Sequence, residues 1–228
     1  MRPRGLGKIE ESNTMRIGIL GSGLLGGKLG TLFARAGPEV VFSYARSQAK
    51  LKRLARNAGA NAQAGTPAEA ARHAQALILA VDWSRLADVL GQAGDVSGNV
   101  IVNCSLPMNA DNTDLAVAHT SSGLEELVKI VPRARVVAAF NTVPSEVLFA
   151  VYQRRRRARR PGLLYCGDDR RAKSVVMTLI RDLGFDPVDA GPARIARHIE
   201  PFALLVAQLA YEGKGGPKLA YRFERFGP

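Results

Sequence analysis

The chain has 228 residues, 46% of them hydrophobic, and a formal net charge of +12. That length buries a core in one domain, or in one domain with a small appendage. No apolar run reaches the roughly 18 residues of a membrane span. Cys104 and Cys166 are far apart, and His73, His119 and His198 are scattered, so neither a disulfide framework nor a metal centre is expected.

The first 14 residues are polar and lack the apolar stretch of a secretory signal, so a disordered tail in a cytoplasmic protein is expected. A strand follows at 15–20. It ends on Gly21-Ser22-Gly23-Leu24-Leu25-Gly26, which opens a helix over 23–36 with Leu24, Leu25, Leu29, Leu32 and Phe33 at helical spacing. A strand, then G-x-G-x-x-G, then a helix is the dinucleotide-binding arrangement. Gly21 allows the tight turn, Gly23 lets a pyrophosphate approach the backbone, and Gly26 lets helix and strand pack closely. The free N–H groups of the helix start favour an anion.

Val40-Val41-Phe42 forms a second strand, and 46–57 reads as a helix. Thr66-Pro67-Ala68-Glu69 is a helix start with Thr66 as cap and Glu69 reaching back. Further strands are expected at 76–81, 100–102 and 136–140, with a helix at 84–90 that Asp82 would cap. The strands are apolar throughout, which marks a parallel sheet covered on both faces. The fold class expected is α/β, a Rossmann-type doubly wound sheet. After residue 150 come short strands at 163–166 and 185–188, a helix at 169–182 and a long apolar helix at 192–211. These read as a small C-terminal α/β extension, 151–228, beside a dinucleotide-binding domain over 15–150.

Arg154, Arg155, Arg156, Arg157, Arg159 and Arg160 supply half of the net charge. No aromatic residues interleave with them, so a solvated loop or frayed helix end is expected rather than a nucleic-acid patch.

The second strand runs into Ser43-Tyr44-Ala45-Arg46-Ser47, with Lys50 one turn on. NAD sites place a carboxylate here to read the ribose hydroxyls. A cation instead suits the 2′-phosphate of NADP. Val81 and Trp83 follow the next strand, at the edge where ligands bind in such folds; Trp83 either covers the cofactor or belongs to the core. Asn103-Cys104-Ser105 and Asn141-Thr142 also fall just past strand ends, where a nicotinamide ring would lie. No base is readable near Cys104, so it is not read as a nucleophile.

Met-Arg-Ile-Gly-Ile-Leu-Gly-Ser-Gly at 15–23, Ala-Val-Asp-Trp at 80–83, Ala-Phe-Asn-Thr-Val-Pro at 139–144, Cys-Gly-Asp-Asp at 166–169 and Asp-Ala-Gly-Pro at 189–192 together resemble the NADPH-dependent reductases of the deazaflavin coenzyme F-420. More distantly they resemble the cytosolic reductase domains of transmembrane ferric reductases. The first resemblance spans nearly the whole chain. It implies reversible hydride transfer between NADP(H) and the deazaflavin, in a homodimer. It further implies that Gly21, Ser22, Gly23, Leu24 and Leu25 cradle the pyrophosphate. Tyr44, Arg46 and Lys50 would read the 2′-phosphate, Val81 and Trp83 would flank the cofactor, and Asn141 and Thr142 would sit near the nicotinamide. The resemblance also supplies a phosphate and polyglutamate tail on the deazaflavin, which a basic rim would attract. Two departures stand out: Ala45-Arg46 replaces a pair of arginines, and Asp82 replaces a proline before the tryptophan.

Hydride moves between stacked rings without an acid–base residue, in keeping with the lack of a readable catalytic dyad. An NADPH-dependent reductase of a flavin, ferric chelate or imine, and a sensor that binds NADPH without turnover, stay open. A β-hydroxyacid-type dehydrogenase does not fit, because the helix at 192–211 has no lysine.

Overall fold

The computed structural model describes residues 14–227. The tail expected over 1–14 therefore lies, Thr14 apart, outside the described residues. The framework is one eight-stranded sheet in the order β3-β2-β1-β4-β5-β6-β7-β8. Its strands are β1 (Arg16–Leu20), β2 (Glu39–Ser43), β3 (Ala62–Ala64), β4 (Ala76–Leu79), β5 (Val100–Asn103), β6 (Arg135–Ala139), β7 (Gly162–Gly167) and β8 (Asp186–Gly191). β3 to β6 are parallel to one another, as expected of a doubly wound sheet. β7 then pairs antiparallel with β6, and β8 runs parallel to β7. The strands of the C-terminal third thus continue the main sheet rather than packing onto it.

The helices are α1 (Leu24–Ala36), α2 (Gln48–Ala58), α3 (Pro67–Ala71), α4 (Leu86–Ala93), α5 (Gly123–Ile130), α6 (Leu148–Gln153), α7 (Arg170–Asp182) and α8 (Ala196–Tyr211). They cover both faces. α1, α2, α6 and α7 build one core around Ile17, Ile19, Phe33, Phe42 and Phe140. α3, α4, α5 and the start of α8 build the other around Leu20, Leu77, Leu79 and Ile101. Alternate residues of each strand point to opposite faces, which is why a strand with two buried faces is apolar at every position.

Local chemistry sets the helix starts. The expected capping box is present: Thr66 Oγ1 accepts from the N–H of Glu69 at 3.2 Å, and Glu69 Oε2 accepts from the N–H of Thr66 at 2.7 Å. Ser47 caps α2 and Asp169 caps α7. Asp82 does not cap. The chain enters α4 through a tight 3-10 turn, Trp83–Arg85, and the Asp82 carbonyl rather than its carboxylate takes the N–H of Arg85.

Candidate functional site

The carboxyl ends of β1, β2, β4, β5 and β6 share one edge of the sheet, and the residues singled out for cofactor binding lie along it. At the end of β1, Gly21 has φ +109°, and a Cβ there would lie 2.3 Å from the Ala80 carbonyl oxygen beyond β4. A Cβ on Gly26 would lie 2.0 Å from the Gly21 carbonyl, so α1 can approach the turn only because that side chain is missing. Gly23 differs. A Cβ there would meet nothing within 4 Å, so its bareness serves no contact inside the protein. Gly23 is the N-cap of α1 and offers no side chain to the first-turn amides, which have no intrahelical partners. Leu24 is 74% exposed beside it, and Leu25 is half-buried.

Ser22 is fully buried. Its N–H donates to the Tyr44 carbonyl at 3.0 Å, and its hydroxyl to the Ser43 carbonyl at 2.8 Å. Ser43 Oγ in turn donates to the Ile19 carbonyl at 2.7 Å. Both donors of Ser22 are spent on tying the glycine turn to the end of β2, so its place is to hold the cradle.

Past β2, Tyr44 takes a left-handed backbone, φ +54°, and its hydroxyl donates to Asp88 of α4. Gln92 donates to the same carboxylate. Burial and the Asp88 carboxylate both hold the Tyr44 hydroxyl above its ordinary pKa. Tyr44 is therefore a bracket between β2 and α4. Arg46 is exposed and Lys50 half-buried; among the described residues neither side chain has a hydrogen-bond or ion-pair partner. Two cations are left free beyond β2 with no carboxylate on the same loop.

The loops past β4 and β5 are clasped together. Ser105 Oγ donates to the Val81 carbonyl at 2.7 Å. The Asn103 amide is spent on Ser105, accepting from its N–H at 3.2 Å and donating to its carbonyl at 3.3 Å. Trp83 is half-buried against the core on the α4 face. Burial pushes the Cys104 thiol far above its ordinary range, which leaves no thiolate for nucleophilic chemistry.

Past β6 the arrangement is unlike the others. Phe140 sits at φ +64°, a costly conformation for a side chain with a Cβ. Its ring is fully buried, edge-on to Phe33 at 6.1 Å, and that packing holds the backbone there. The next residue, Asn141, buries both its amide nitrogen and its oxygen with no hydrogen-bond partner. A buried amide left unpaired costs about 1–3 kcal/mol, so such a group is either a defect or is waiting for a ligand. Thr142 is buried too, but its Oγ1 lies 2.7 Å from the Tyr221 hydroxyl, which also accepts from the Leu164 N–H at 3.1 Å.

α8 and the stretch after it cross above this edge. Near its start Glu200 accepts from the N–H groups of Gly123 and Leu124 at 2.8 and 3.0 Å, on the α5 face. At its end Tyr211 donates to Glu146 at 2.9 Å, beside Lys28 of α1 on the other face. Phe202, Tyr221 and Phe223 form an aromatic cluster between them. Asp88, Glu200 and Tyr221 carry no local sequence signal, since each acts on a residue 44 to 79 positions away.

The motifs at 166–169 and 189–192 lie at the opposite edge. Because β7 is antiparallel to β6, its last residues meet the start of β6, with Val137 opposite Gly167. There Asp168 accepts from the Ala193 N–H at 2.9 Å, Asp169 caps α7 and lies 3.6 Å from Arg135, and Asp189 pairs with Lys173 at 2.7 Å. These carboxylates staple β7, α7 and β8 together.

Residues 16–107 match a family model described as NADP oxidoreductase, coenzyme F-420-dependent. The chain is 29% identical over 189 residues to the metalloreductase STEAP3 of the rat, Rattus norvegicus, covering 83% of this chain and 36% of that protein. It spans about a third of that relative's length. Among solved structures, a candidate F-420-dependent NADP reductase of Arthrobacter superposes with a TM-score of 0.81 at 22% identity, over 92% of this chain and all of that one. A hypothetical protein of Sinorhizobium meliloti gives 0.72 at 27% identity, over 92% and 97%. A reductive aminase of Aspergillus terreus, solved with NADPH, gives 0.62 at 20% identity, over 86% and 61%. The likeness shows a Rossmann-type α/β fold, and the match over 16–107 is to a model of NADP oxidoreductases. Among the described residues no helix is long and apolar enough to cross a membrane.

Proposed function

We propose that the chain transfers hydride between NADP(H) and a deazaflavin of the coenzyme F-420 type. The observation that carries this reading is the Asn141 amide. It is buried, unpartnered and held at the carboxyl edge by a strained, pinned backbone. One donor and one acceptor in one plane match the carboxamide of a nicotinamide ring. NADP(H) would supply the transferable hydride; everything else asked of the protein is position and exclusion of water.

In this reading the open backbone at Gly23 and the amides of Leu24, Leu25 and Gly26 take the pyrophosphate, with Gly21 shaping the turn and Ser22 holding it. Arg46 and Lys50 take the 2′-phosphate, and Tyr44 braces the loop that carries them. Val81, Trp83 and the clasped loop at Asn103 wall the ring side. Thr142 steadies Asn141 through Tyr221. Residues 15–150 supply the cofactor side and 151–228 the cover over it. A second copy of the chain would pack on Leu205 and Leu209, both more than half exposed on α8.

The test is to mix the protein, NADPH and oxidised deazaflavin and follow the visible band of the deazaflavin together with the ultraviolet band of NADPH. Stoichiometric loss of both is expected. Tight NADPH binding without loss of either band would contradict the reading. A second reading, electron delivery to a ferric chelate, draws on the rat metalloreductase relative. It predicts NADPH loss with ferric citrate and none with the deazaflavin.

A further inference from the structure

Among the described residues, every buried serine and threonine hydroxyl but one gives its hydrogen to a carbonyl or carboxylate of the chain. Ser22 and Ser43 donate to the Ser43 and Ile19 carbonyls, Thr31 to Gly27 and Ser105 to Val81. Ser122 donates to Glu125 and Ser145 to Glu146. The exception is Thr142, which is fully buried past β6 and meets the Tyr221 hydroxyl at 2.7 Å. Two hydroxyl hydrogens come together there, and the contact between the two oxygens consumes one. The Leu164 N–H is a further donor to the Tyr221 oxygen, at 3.1 Å, and takes up no hydrogen. Whichever way the pair is oriented, one hydrogen is left without an acceptor among the described residues.

A spare hydrogen on Thr142 would be sealed in the interior, at about 1–3 kcal/mol. Tyr221 is only half-buried. The less costly arrangement has Thr142 donating to Tyr221, whose own hydrogen then points away from both of its donors. Other contacts fix the Tyr221 ring. Its carbonyl accepts from the Gly162 N–H at 2.8 Å where β7 begins, Phe202 of α8 packs edge-on at 5.1 Å, and Phe223 lies at 5.5 Å. The hydroxyl is thereby held on the side chain next in sequence to the unpaired Asn141 amide. Burial raises its pKa above the ordinary value, against the pull of its two donors. Arg222, next along the chain, is paired with Glu224. Tyr221 therefore keeps its proton at neutral pH and begins as an acid.

We infer that Tyr221 is the proton donor to the molecule that accepts the hydride. That acceptor is of the class that takes hydride at carbon and carries the resulting charge on a conjugated nitrogen or oxygen. The inference rests on the hydride-transfer reading above. Hydride leaves the reduced nicotinamide with the electron pair of its C–H bond and forms a C–H bond on the acceptor. A π pair of the acceptor moves onto the conjugated nitrogen or oxygen, which takes the Tyr221 proton as the phenolic O–H bond breaks. The hydride step itself needs no acid, but a donor aimed at the atom where charge gathers lowers its barrier. Thr142 and Leu164, both donating to the Tyr221 oxygen, stabilise the phenolate until solvent returns a proton.

The probe is 5-deazariboflavin, which takes hydride at a ring carbon and a proton at a ring nitrogen. Tyr221→Phe keeps the ring and removes the hydroxyl. Its kcat should fall about 100-fold, with the KM for the probe and the NADPH dissociation constant within about threefold of wild type. A second variant carries 3-fluorotyrosine at position 221, which keeps both accepted bonds and lowers the phenol pKa. The alkaline limb of its kcat should move to lower pH, which a purely structural tyrosine would not cause. Its fluorine resonance should also shift when the probe joins the complex with NADP+, a readout that needs no turnover. A kcat for Tyr221→Phe within about threefold of wild type, an alkaline limb that ignores the fluorine, or an unmoved resonance would overturn the inference and leave the hydride-transfer reading in place. If Tyr221→Phe does not fold, the fluorinated variant decides alone. A wild-type protein that binds NADPH and reduces no deazaflavin would overturn the hydride-transfer reading, and this inference with it.

Discussion

The two edges of the sheet carry the two sets of motif residues in this chain, and they differ in how their polar groups are used. At the amino edge of β6, Asp168, Asp169 and Asp189 each have a partner within the protein. At the carboxyl edge, Gly23 faces open space, Arg46 and Lys50 have no counter-charge among the described residues, and the Asn141 amide is buried unpaired. Folding satisfies its own polar groups wherever it can. Groups left unsatisfied by a fold that satisfies their equivalents elsewhere point to something outside the chain. The motifs at 166–169 and 189–192 look more distinctive in the sequence than Asn141 does, yet they staple the structure, while the plain asparagine faces the site.

The sharpest break of this comparison comes from the glycine turn. A carboxylate placed by Gly23→Asp meets no protein atom at its Cβ but faces the proposed pyrophosphate. NADPH affinity should fall at least 100-fold, about 3 kcal/mol, with little loss of thermal stability. Gly26→Ala should do the reverse and show first in the melting temperature, because its Cβ would sit 2.0 Å from the Gly21 carbonyl. Isothermal titration and thermal melts of both variants separate the two effects.

Arg46→Ala should weaken NADPH by 10- to 100-fold, about 1.5–3 kcal/mol, and leave NADH affinity within about twofold. Competitive titration of the two nucleotides reads the ratio directly.

Glu200 sharpens the comparison from a third position, since it is buried yet spent on two amides. Burial raises its carboxyl from 4.5 to about 7, and the two N–H groups pull the other way. An acid whose pKa is higher in the folded state holds its proton longer there. Its stabilising share is present below about pH 4.5 and is lost as the pH climbs to about 7. The stability of the wild type relative to Glu200→Gln should therefore fall across that window by on the order of 3 kcal/mol, seen as a drop of about 6–12 °C in melting temperature.

The smallest effects belong to the stapled edge. Asp168→Ala and Asp189→Ala should each cost about 1 kcal/mol, seen as a few degrees in a thermal melt. Neither should move the NADPH dissociation constant. A loss of cofactor binding there would erase the distinction between the edges.

Much of this architecture is legible in the sequence where the cause is local. The glycine turn, the apolar strands β1, β2, β4, β5 and β6 and the capping box at Thr66 follow from adjacent residues. What is not legible comes from distance or brevity. β3 has three residues, and α5 and α6 are short helices in stretches that the sequence reading leaves unassigned. The reversal at β7 depends on the path of the chain after β6, so the strand at 163–166 could be found but not its direction. That reversal moves the arginine run to the carboxyl edge and the distinctive aspartates to the other. At the site, Asn141 was readable from its position past a strand end. Its lack of a partner, and the Tyr221 hydroxyl on Thr142, could emerge only once the chain was folded.

If the open carboxyl edge is an NADP site, calorimetric titration of the wild-type protein separates NADPH from NADH. NADPH should bind at least tenfold more tightly than NADH, about 1.4 kcal/mol or more. Equal affinities, tighter NADH, or no binding of either would contradict it.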